Sequence, residues 1–144
     1  MRTLSKFGLA GVRIGYMLAR NEVIQQLDKI RPPYNISVLN YECALFALEH
    51  AEVFAAQAED IRAQRAILFE ALQAMPGLKA WKSDANMILV RVPDATRTFE
   101  GLKAHGVLIK NISKMHPLLA NCLRLTVGTA AENDQLLAAL KASL

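Results

Sequence analysis

Apolar residues between positions 37 and 75 recur at alternating three- and four-residue steps, the spacing that places them on one face of an α-helix. Arg65 is the charged residue that interrupts this series. The pattern predicts one long helix that begins near Ser37 or Asn40, or two helices broken near His50. We expect the helical segment to end at Pro76 and the glycine after it, since proline cannot continue a helix.

The residues before this helical segment show a different pattern. Val12–Ala19 is a short apolar run punctuated by a glycine, which predicts a buried strand. Asn21 then stands where an N-cap residue is expected, and apolar residues at helical spacing follow it. The predicted helix ends at the proline pair 32–33.

Shorter units follow position 76, where predicted strands alternate with predicted helices. An aspartate or threonine caps the first helix and a glycine ends it, while a capping box starts the second. This alternation indicates the α/β fold class. The predicted strands are Met87–Val92, Val107–Ile112 and Cys122–Val127, and the helix signals are Asp94 or Thr96, Gly106, and Thr129 with Glu132.

Hydrophobic residues make up 53% of the 144 residues, which is high for a chain of this length. No apolar run approaches the roughly 18 residues that would span a bilayer, so we expect no membrane partner. The chain has more apolar surface than it is expected to bury alone, which predicts self-association or a partner. No leader-like segment with a cleavage site is evident at the start, which favours a cytoplasmic location.

Charge and cysteine content exclude several classes of function. The 17 basic residues are spread along the chain without a block, so the formal charge of +4 does not predict a nucleic-acid partner. Cys43 and Cys122 lack metal-ligand spacing, and we expect both to be reduced core residues. The histidines, His50, His105 and His116, share no metal-binding spacing either, so we expect surface or capping roles and no metal site.

The stretch TLSKFGLAGVRIGY, at residues 3–16, is the one segment whose composition points to chemistry. Gly8 and Gly11 allow the backbone to approach a ligand closely, and the fork of Arg13 suits a phosphate group. A lysine such as Lys6 beside a phosphate clamp is what pyridoxal phosphate requires, because the amine forms a Schiff base with its aldehyde. The alternative is a pair of solvated charges. A second Ser-Lys pair, at Lys114, lacks both the glycines and the arginine that follow Lys6.

The same stretch resembles the cofactor-lysine segment of fold-type I pyridoxal-phosphate enzymes of the class I/II aminotransferase group, specifically of histidinol-phosphate aminotransferases. The segments RPPYNIS, SDANMILVRV, GVLIKNISKMHPLLANCLRLTVGT and AENDQLLAALKASL resemble later parts of that family in the same order. The resemblance implies pyridoxal 5'-phosphate as cofactor and Lys6 as the catalytic lysine that binds it and moves the substrate's α-carbon proton. It also implies that Ser5 and Arg13 hold the cofactor phosphate.

Three further residues match family positions near the substrate. Arg124 matches an arginine that meets the substrate's anionic group, and strand alternation places it on one face with Cys122 and Thr126. An edge-protecting charge is the alternative for Arg124. Asn86 matches a position near the substrate, with a turn-forming asparagine as the alternative. Lys110 stands where many relatives carry a phosphate-contacting arginine. Lysine keeps the positive charge of that arginine but lacks its planar, bidentate hydrogen-bond donors.

The resemblance also implies a domain organisation. Residues 1–36 correspond to the tail of the large cofactor-binding domain, 37–75 to an interdomain helical segment and 76–144 to the small C-terminal α/β domain. Relatives carry a long N-terminal portion that supplies the ring stacked on the cofactor and the aspartate at its pyridine nitrogen. We therefore expect this chain alone to be inactive or poorly active, and the whole enzyme to be a homodimer.

The implied reaction moves an amino group between L-histidinol phosphate, or a related amine, and 2-oxoglutarate in histidine biosynthesis. Its partners would be a small amino donor and a 2-oxo acid. A threonine-phosphate decarboxylase-like enzyme is one alternative. A non-catalytic oligomerisation module or basic binding module is the other.

Overall fold

Short strands and longer helices follow one another along residues 1–144, all of which the computed structural model describes. The strands are β1 (Arg2–Thr3), β2 (Gly15–Tyr16), β3 (Lys79–Trp81), β4 (Met87–Arg91), β5 (Lys110–Asn111) and β6 (Cys122–Thr126). The helices are α1 (Asn21–Asp28), α2 (Val38–Glu49), α3 (Ala51–Gln73), α4 (Ala95–Ala104) and α5 (Ala130–Ser143). Two compact units result, Met1–Gln57 and Ala58–Leu144. The three segments implied by the resemblance, 1–36, 37–75 and 76–144, stay a prediction.

The long helical segment is broken at His50, which confirms the two-helix version of the prediction. The Ser37 hydroxyl accepts a hydrogen bond from the Asn40 N–H at 3.2 Å and so caps α2. His50 leaves the helical conformation, with φ −112° and ψ 37°. The prediction for α1 was wrong by one residue, because Arg20 occupies the N-cap position without a side-chain bond and Asn21 is the first helical residue.

The second unit is built on a four-stranded antiparallel sheet in the order β3-β4-β6-β5. Ile88 lies opposite Leu125 and Val90 lies opposite Leu123, and all four are fully buried. Burying a side chain of this size stabilises the fold by about 1.5–3 kcal/mol. Residues from α3, α4 and α5 complete this core, including Leu68, Leu72, Leu102, Leu136 and Leu140.

Two predicted strands are much shorter than expected. In Val12–Ala19, only Gly15–Tyr16 pairs, and both residues are exposed, so the predicted burial was wrong. Arg13 adopts a left-handed conformation with φ 55°, which interrupts the extended run before this pair. In Val107–Ile112, only Lys110–Asn111 pairs. The first residue of the predicted strand instead belongs to the turn that ends α4, since the Val107 N–H donates to the Leu102 carbonyl at 2.9 Å.

The cysteines and histidines divide between core and surface. Cys122 is fully buried as predicted, but Cys43 is exposed, so its assignment to the core was wrong. Both thiols are free. The predicted capping or surface roles of the histidines are confirmed. His116 caps a 3₁₀ turn by accepting from the Leu118 N–H at 3.2 Å, while His50 and His105 are exposed.

Exposed apolar side chains are concentrated in the first unit, where only Leu4, Ala44 and Ala47 are buried hydrophobics. Val38 and Leu39, in the first turn of α2, are 75% and 77% exposed. None of the helices combines the length and the hydrophobicity needed to cross a membrane.

The capping box of α5 predicts a stability contribution that depends on pH. Hydrogen bonds from the Thr129 N–H and hydroxyl hold the pKa of the Glu132 carboxyl below its ordinary value of 4.5. The unfolded chain therefore binds this proton more tightly, so the stabilisation is complete above about pH 4.5 and is lost as pH falls through the lowered pKa. In urea titrations followed by circular dichroism, we expect the advantage of wild type over Glu132→Gln to shrink in acid.

Glu70→Gln provides the matched control, because Glu70 is an exposed carboxylate of α3 without a hydrogen-bond partner. A wild-type advantage over Glu132→Gln that stays constant from pH 7 to about pH 3 would contradict this account.

Candidate functional site

A pair of two-residue strands closes the loop that carries Lys6. Arg2 lies opposite Tyr16 and Thr3 lies opposite Gly15 in the β1–β2 ladder. The next residue, Leu4, donates its N–H to the Ile14 carbonyl at 3.0 Å. Residues 4–7 then form a 3₁₀ turn, so the loop begins and ends on one small antiparallel pair.

Thr3 fixes the start of this turn. Its hydroxyl oxygen accepts from the Ser5 N–H at 3.1 Å and thereby caps the turn. The same hydroxyl lies 2.9 Å from Ser5 Oγ, to which it donates. Sequence reasoning missed Thr3, although a threonine hydroxyl that accepts from the N–H two residues further on is a known local capping pattern.

Lys6 is exposed, and its amine forms no ion pair and no hydrogen bond. Its chain neighbour Phe7 stacks on Phe54, with ring centroids 4.8 Å apart. Gly8 ends the turn at φ 94°, a conformation that favours glycine, and its N–H donates to the Leu4 carbonyl. The backbone on both sides of Lys6 is therefore held, while its amine stays available.

Arg13 is the second charged group of the loop. It is exposed, and its Nη1 donates to the Ala10 carbonyl oxygen at 3.4 Å. Most of its N–H donors therefore remain without a protein partner. Its left-handed backbone is a conformation that the sequence did not signal, since such values are uncommon for residues other than glycine.

A cavity of about 820 Å³ opens beside Lys6 within the first unit. Its lining is mainly apolar, with Lys6 and Arg2 as its charged members and Tyr16 and Tyr41 as its phenols. Ser5 and Arg13 are not part of this lining. Volumes of this size are typical of small-molecule sites. The tyrosines are further site candidates that sequence reasoning missed, because neither belongs to a recognisable local motif.

The donors carried by the Lys6 loop are of the kinds that an aldehyde cofactor with a phosphate requires. The amine of Lys6 has no partner to displace. Because the Ser5 hydroxyl accepts from Thr3, its own proton is free to donate to a phosphate oxygen. The guanidinium of Arg13 supplies further charged donors, the type that binds phosphate most strongly.

The second unit places two predicted substrate residues directly opposite each other. Lys110 of β5 and Arg124 of β6 are cross-strand partners, and both are exposed. Leu89 of β4 lies opposite Arg124 on its other side. Like charges at opposed positions destabilise a sheet, so this pair is suited to an anion that neutralises both.

The residues that alternate with Arg124 along β6 differ in exposure. Thr126 is exposed like Arg124, whereas Cys122 is fully buried. The segment before β6 covers it, since the Cys122 thiol donates to the Ala120 carbonyl and its own carbonyl accepts from Ser113 Oγ at 3.2 Å.

Asn86 lies in the turn that leads into β4, and its side chain is exposed. Its backbone carbonyl accepts from the Val127 N–H at 3.0 Å, one residue beyond the end of β6. Met87 is paired with Thr126, so Asn86 lies at the same end of the sheet as Thr126. The predicted residues thus form two groups, one in each unit: Ser5, Lys6 and Arg13, and Asn86, Lys110 and Arg124.

No group of three or more histidine, cysteine, aspartate or glutamate side chains is arranged to hold a metal ion.

A family model described as aminotransferase class I and II matches residues 1–140. A histidinol-phosphate aminotransferase from Polaromonas naphthalenivorans is 78% identical over 144 residues, which are 100% of this chain and 40% of that protein. The chain therefore spans about 40% of the length of that curated relative.

Solved structures share the fold. A histidinol-phosphate aminotransferase from Sinorhizobium meliloti in complex with pyridoxal-5'-phosphate has a TM-score of 0.78 and 29% identity, over 99% of this chain and 39% of that chain. An L-threonine-O-3-phosphate decarboxylase from Porphyromonas gingivalis has a TM-score of 0.80 and 24% identity, over 95% and 43% of the two chains, which shows the fold alone. These matches confirm the predicted α/β fold class.

The close approach of the backbones at Gly15 predicts that the Lys6 loop requires glycine there. A Cβ at Gly15 would lie 2.9 Å from the Arg2 carbonyl oxygen, so Gly15→Ala is expected to separate β1 from β2 at a cost of about 1–3 kcal/mol. Amide hydrogen exchange at Leu4, whose N–H bonds to Ile14, measures this opening. Gly11→Ala is the control, since its Cβ would meet nothing within 4 Å, and equal exchange in both variants would refute the prediction.

Proposed function

We propose, because the chain belongs to the class I and II aminotransferase family, that it serves pyridoxal-phosphate-dependent transamination between L-histidinol phosphate, or a related amine, and 2-oxoglutarate. The observation that carries this proposal is the unpartnered amine of Lys6 on a turn whose backbone is fixed on both sides. The 78% identity to a histidinol-phosphate aminotransferase supports the choice of substrate. Since the chain spans about 40% of that relative, the activity proposed is that of the whole enzyme.

The first unit would bind the cofactor. Pyridoxal phosphate, when bound, supplies an electron sink that lowers the cost of removing a proton from the substrate's α-carbon. The Ser5 hydroxyl and the Arg13 guanidinium bind its phosphate by charge-assisted hydrogen bonds. The amine of Lys6 would hold the cofactor through its aldehyde group, and when free it would accept the α-carbon proton as general base.

The second unit would bind the substrate. Arg124 holds its anionic group, with Lys110 on the neighbouring strand adding a second positive charge. Lysine presents a point charge where an arginine would present a fork, so Lys110 contributes attraction more than orientation. Asn86, at the end of the same sheet, contributes an amide that donates and accepts hydrogen bonds.

The enzyme is proposed to act as a cytoplasmic homodimer. Exposed apolar residues of α2, including Val38, Leu39 and Phe46, support an association that removes them from water. Interfaces between identical subunits are more apolar than other protein surfaces, which fits this composition.

A threonine-phosphate decarboxylase-like activity is the second candidate. The fold of the Porphyromonas gingivalis enzyme is compatible with both reactions, and both substrates carry a phosphate for Lys110 and Arg124. The identity of 78% to a histidinol-phosphate aminotransferase favours transamination. A non-catalytic oligomerisation or binding module is the third candidate, and it requires no cofactor uptake.

Cofactor attachment provides the first test. We expect pyridoxal phosphate followed by borohydride reduction to label Lys6, because its amine has no competing partner. Digestion and mass spectrometry identify the labelled peptide, and Lys6→Ala is expected to abolish this label.

Lys114→Ala is the matched control, since Lys114 also follows a serine but lies outside the glycine-rich loop. Labelling distributed evenly over many lysines would exclude the cofactor role of Lys6. Absence of any label would favour the non-catalytic module.

Substrate binding provides the second test. Arg124→Gln removes a charged donor from the anion site, so we expect L-histidinol phosphate to bind about 10- to 100-fold more weakly, the equivalent of a lost charge-assisted hydrogen bond. Isothermal titration calorimetry measures the affinity. Arg97→Gln, which removes an exposed arginine of α4, is expected to change nothing. Equal losses in the two variants would mean that Arg124 acts only through net charge.

A further inference from the structure

Arg65, the charged residue that interrupts the apolar face of α3, has a specific partner. It is half-buried, and its Nη1 donates to the Ala85 carbonyl oxygen at 3.1 Å. Ala85 directly precedes Asn86, and its own N–H donates to the Ser83 hydroxyl at 3.1 Å. The residue before Asn86 is therefore held from both its N–H and its carbonyl group.

Asn86 is also held from the opposite side. Its carbonyl accepts from the Val127 N–H, and the next residue, Gly128, is held by the side chain of Asn133. Asn133 accepts from the Gly128 N–H at 3.0 Å and donates to the Gly128 carbonyl at 3.1 Å, while it is only 4% exposed. The same Asn133 amide lies 3.2 Å from Gln64 Oε1. Two consecutive residues of α3 therefore hold the two loops that meet at Asn86.

The chemistry of arginine suits this role. A guanidinium is always charged, and a hydrogen bond from a charged donor to a carbonyl is stronger than a neutral one. Partial burial limits the competition from water. An arginine with this single partner inside an otherwise apolar helix face is more costly to bury than a leucine, so packing alone does not account for it.

We propose that Arg65 is a positioning residue for Asn86: it holds the Ala85 carbonyl and so fixes the backbone from which the Asn86 side chain meets the substrate. The hydrogen bonds described above carry the positioning part. The contact of Asn86 with substrate rests on the proposed function. Arg65 acts through the loop and does not itself touch the substrate.

Hydrogen exchange on the 144-residue chain tests the positioning part. Arg65→Gln is expected to raise the exchange rate of the Val127 amide about tenfold, since the bond lost is charge-assisted. The Thr98 amide of α4 is expected to keep its rate. Arg65→Lys, which retains one charged donor, is expected to restore part of the protection. Arg62→Gln, one turn earlier on the same helix and exposed, is the matched control and is expected to leave Val127 unchanged.

A titration with L-histidinol phosphate, followed through the side-chain amide resonances of Asn86, tests the substrate part. We expect a shift in wild type, its loss in Arg65→Gln and its partial return in Arg65→Lys. Faster Val127 exchange without any wild-type shift would support the positioning part and overturn the contact of Asn86 with substrate. Unchanged exchange and an unchanged shift in Arg65→Gln would overturn the proposal. If Arg65→Gln does not fold, Arg65→Lys serves as the test variant. A wild-type rate of Val127 exchange together with a wild-type shift of the Asn86 side-chain amide in Arg65→Lys would then overturn the proposal.

Discussion

The pairing of β4 with β6 is the interaction on which the second unit depends. Its register places Ile88 opposite Leu125 and Val90 opposite Leu123, and these side chains form the centre of the core. Because side chains alternate between the two faces of a strand, the same register exposes Arg124. A slip of one residue would exchange the two faces and bury the arginine among leucines. Formation of the core and exposure of Arg124 are thus a single event.

The first unit follows a different principle. It buries little apolar surface, and the turn that presents Lys6 is held by backbone and hydroxyl hydrogen bonds around Thr3, Leu4 and Ile14. Such local bonds contribute about 1 kcal/mol each, less than the burial of one leucine in the sheet. The geometry around the amine is therefore set by short-range contacts, while the apolar residues of this unit remain available for association.

Local signals in the sequence predicted most helix caps and breaks, with the cap of α1 as the exception, but they did not predict pairings between distant residues. The break at His50 and the cap at Asp94, whose carboxylate accepts from the Thr96 and Arg97 N–H groups, follow from neighbouring residues alone. The strand Lys79–Trp81 was missed because it is short and its pairing with β4 is not a local property. Lys6 was proposed from its glycine-rich loop and Lys110 from the family resemblance, but the pairing of Lys110 with Arg124 was not predicted, since a strand register cannot be derived from spacing.

Two cations face each other across the last two strands of the sheet, and β5 contributes only Lys110 and Asn111 to that ladder. Repulsion across so short an edge strand works against its own pairing. A bound anion, or a raised concentration of simple salt, relieves that repulsion. The pairing of this edge strand is consequently coupled to the ions around it. The ionic medium therefore affects the stability of this part of the sheet.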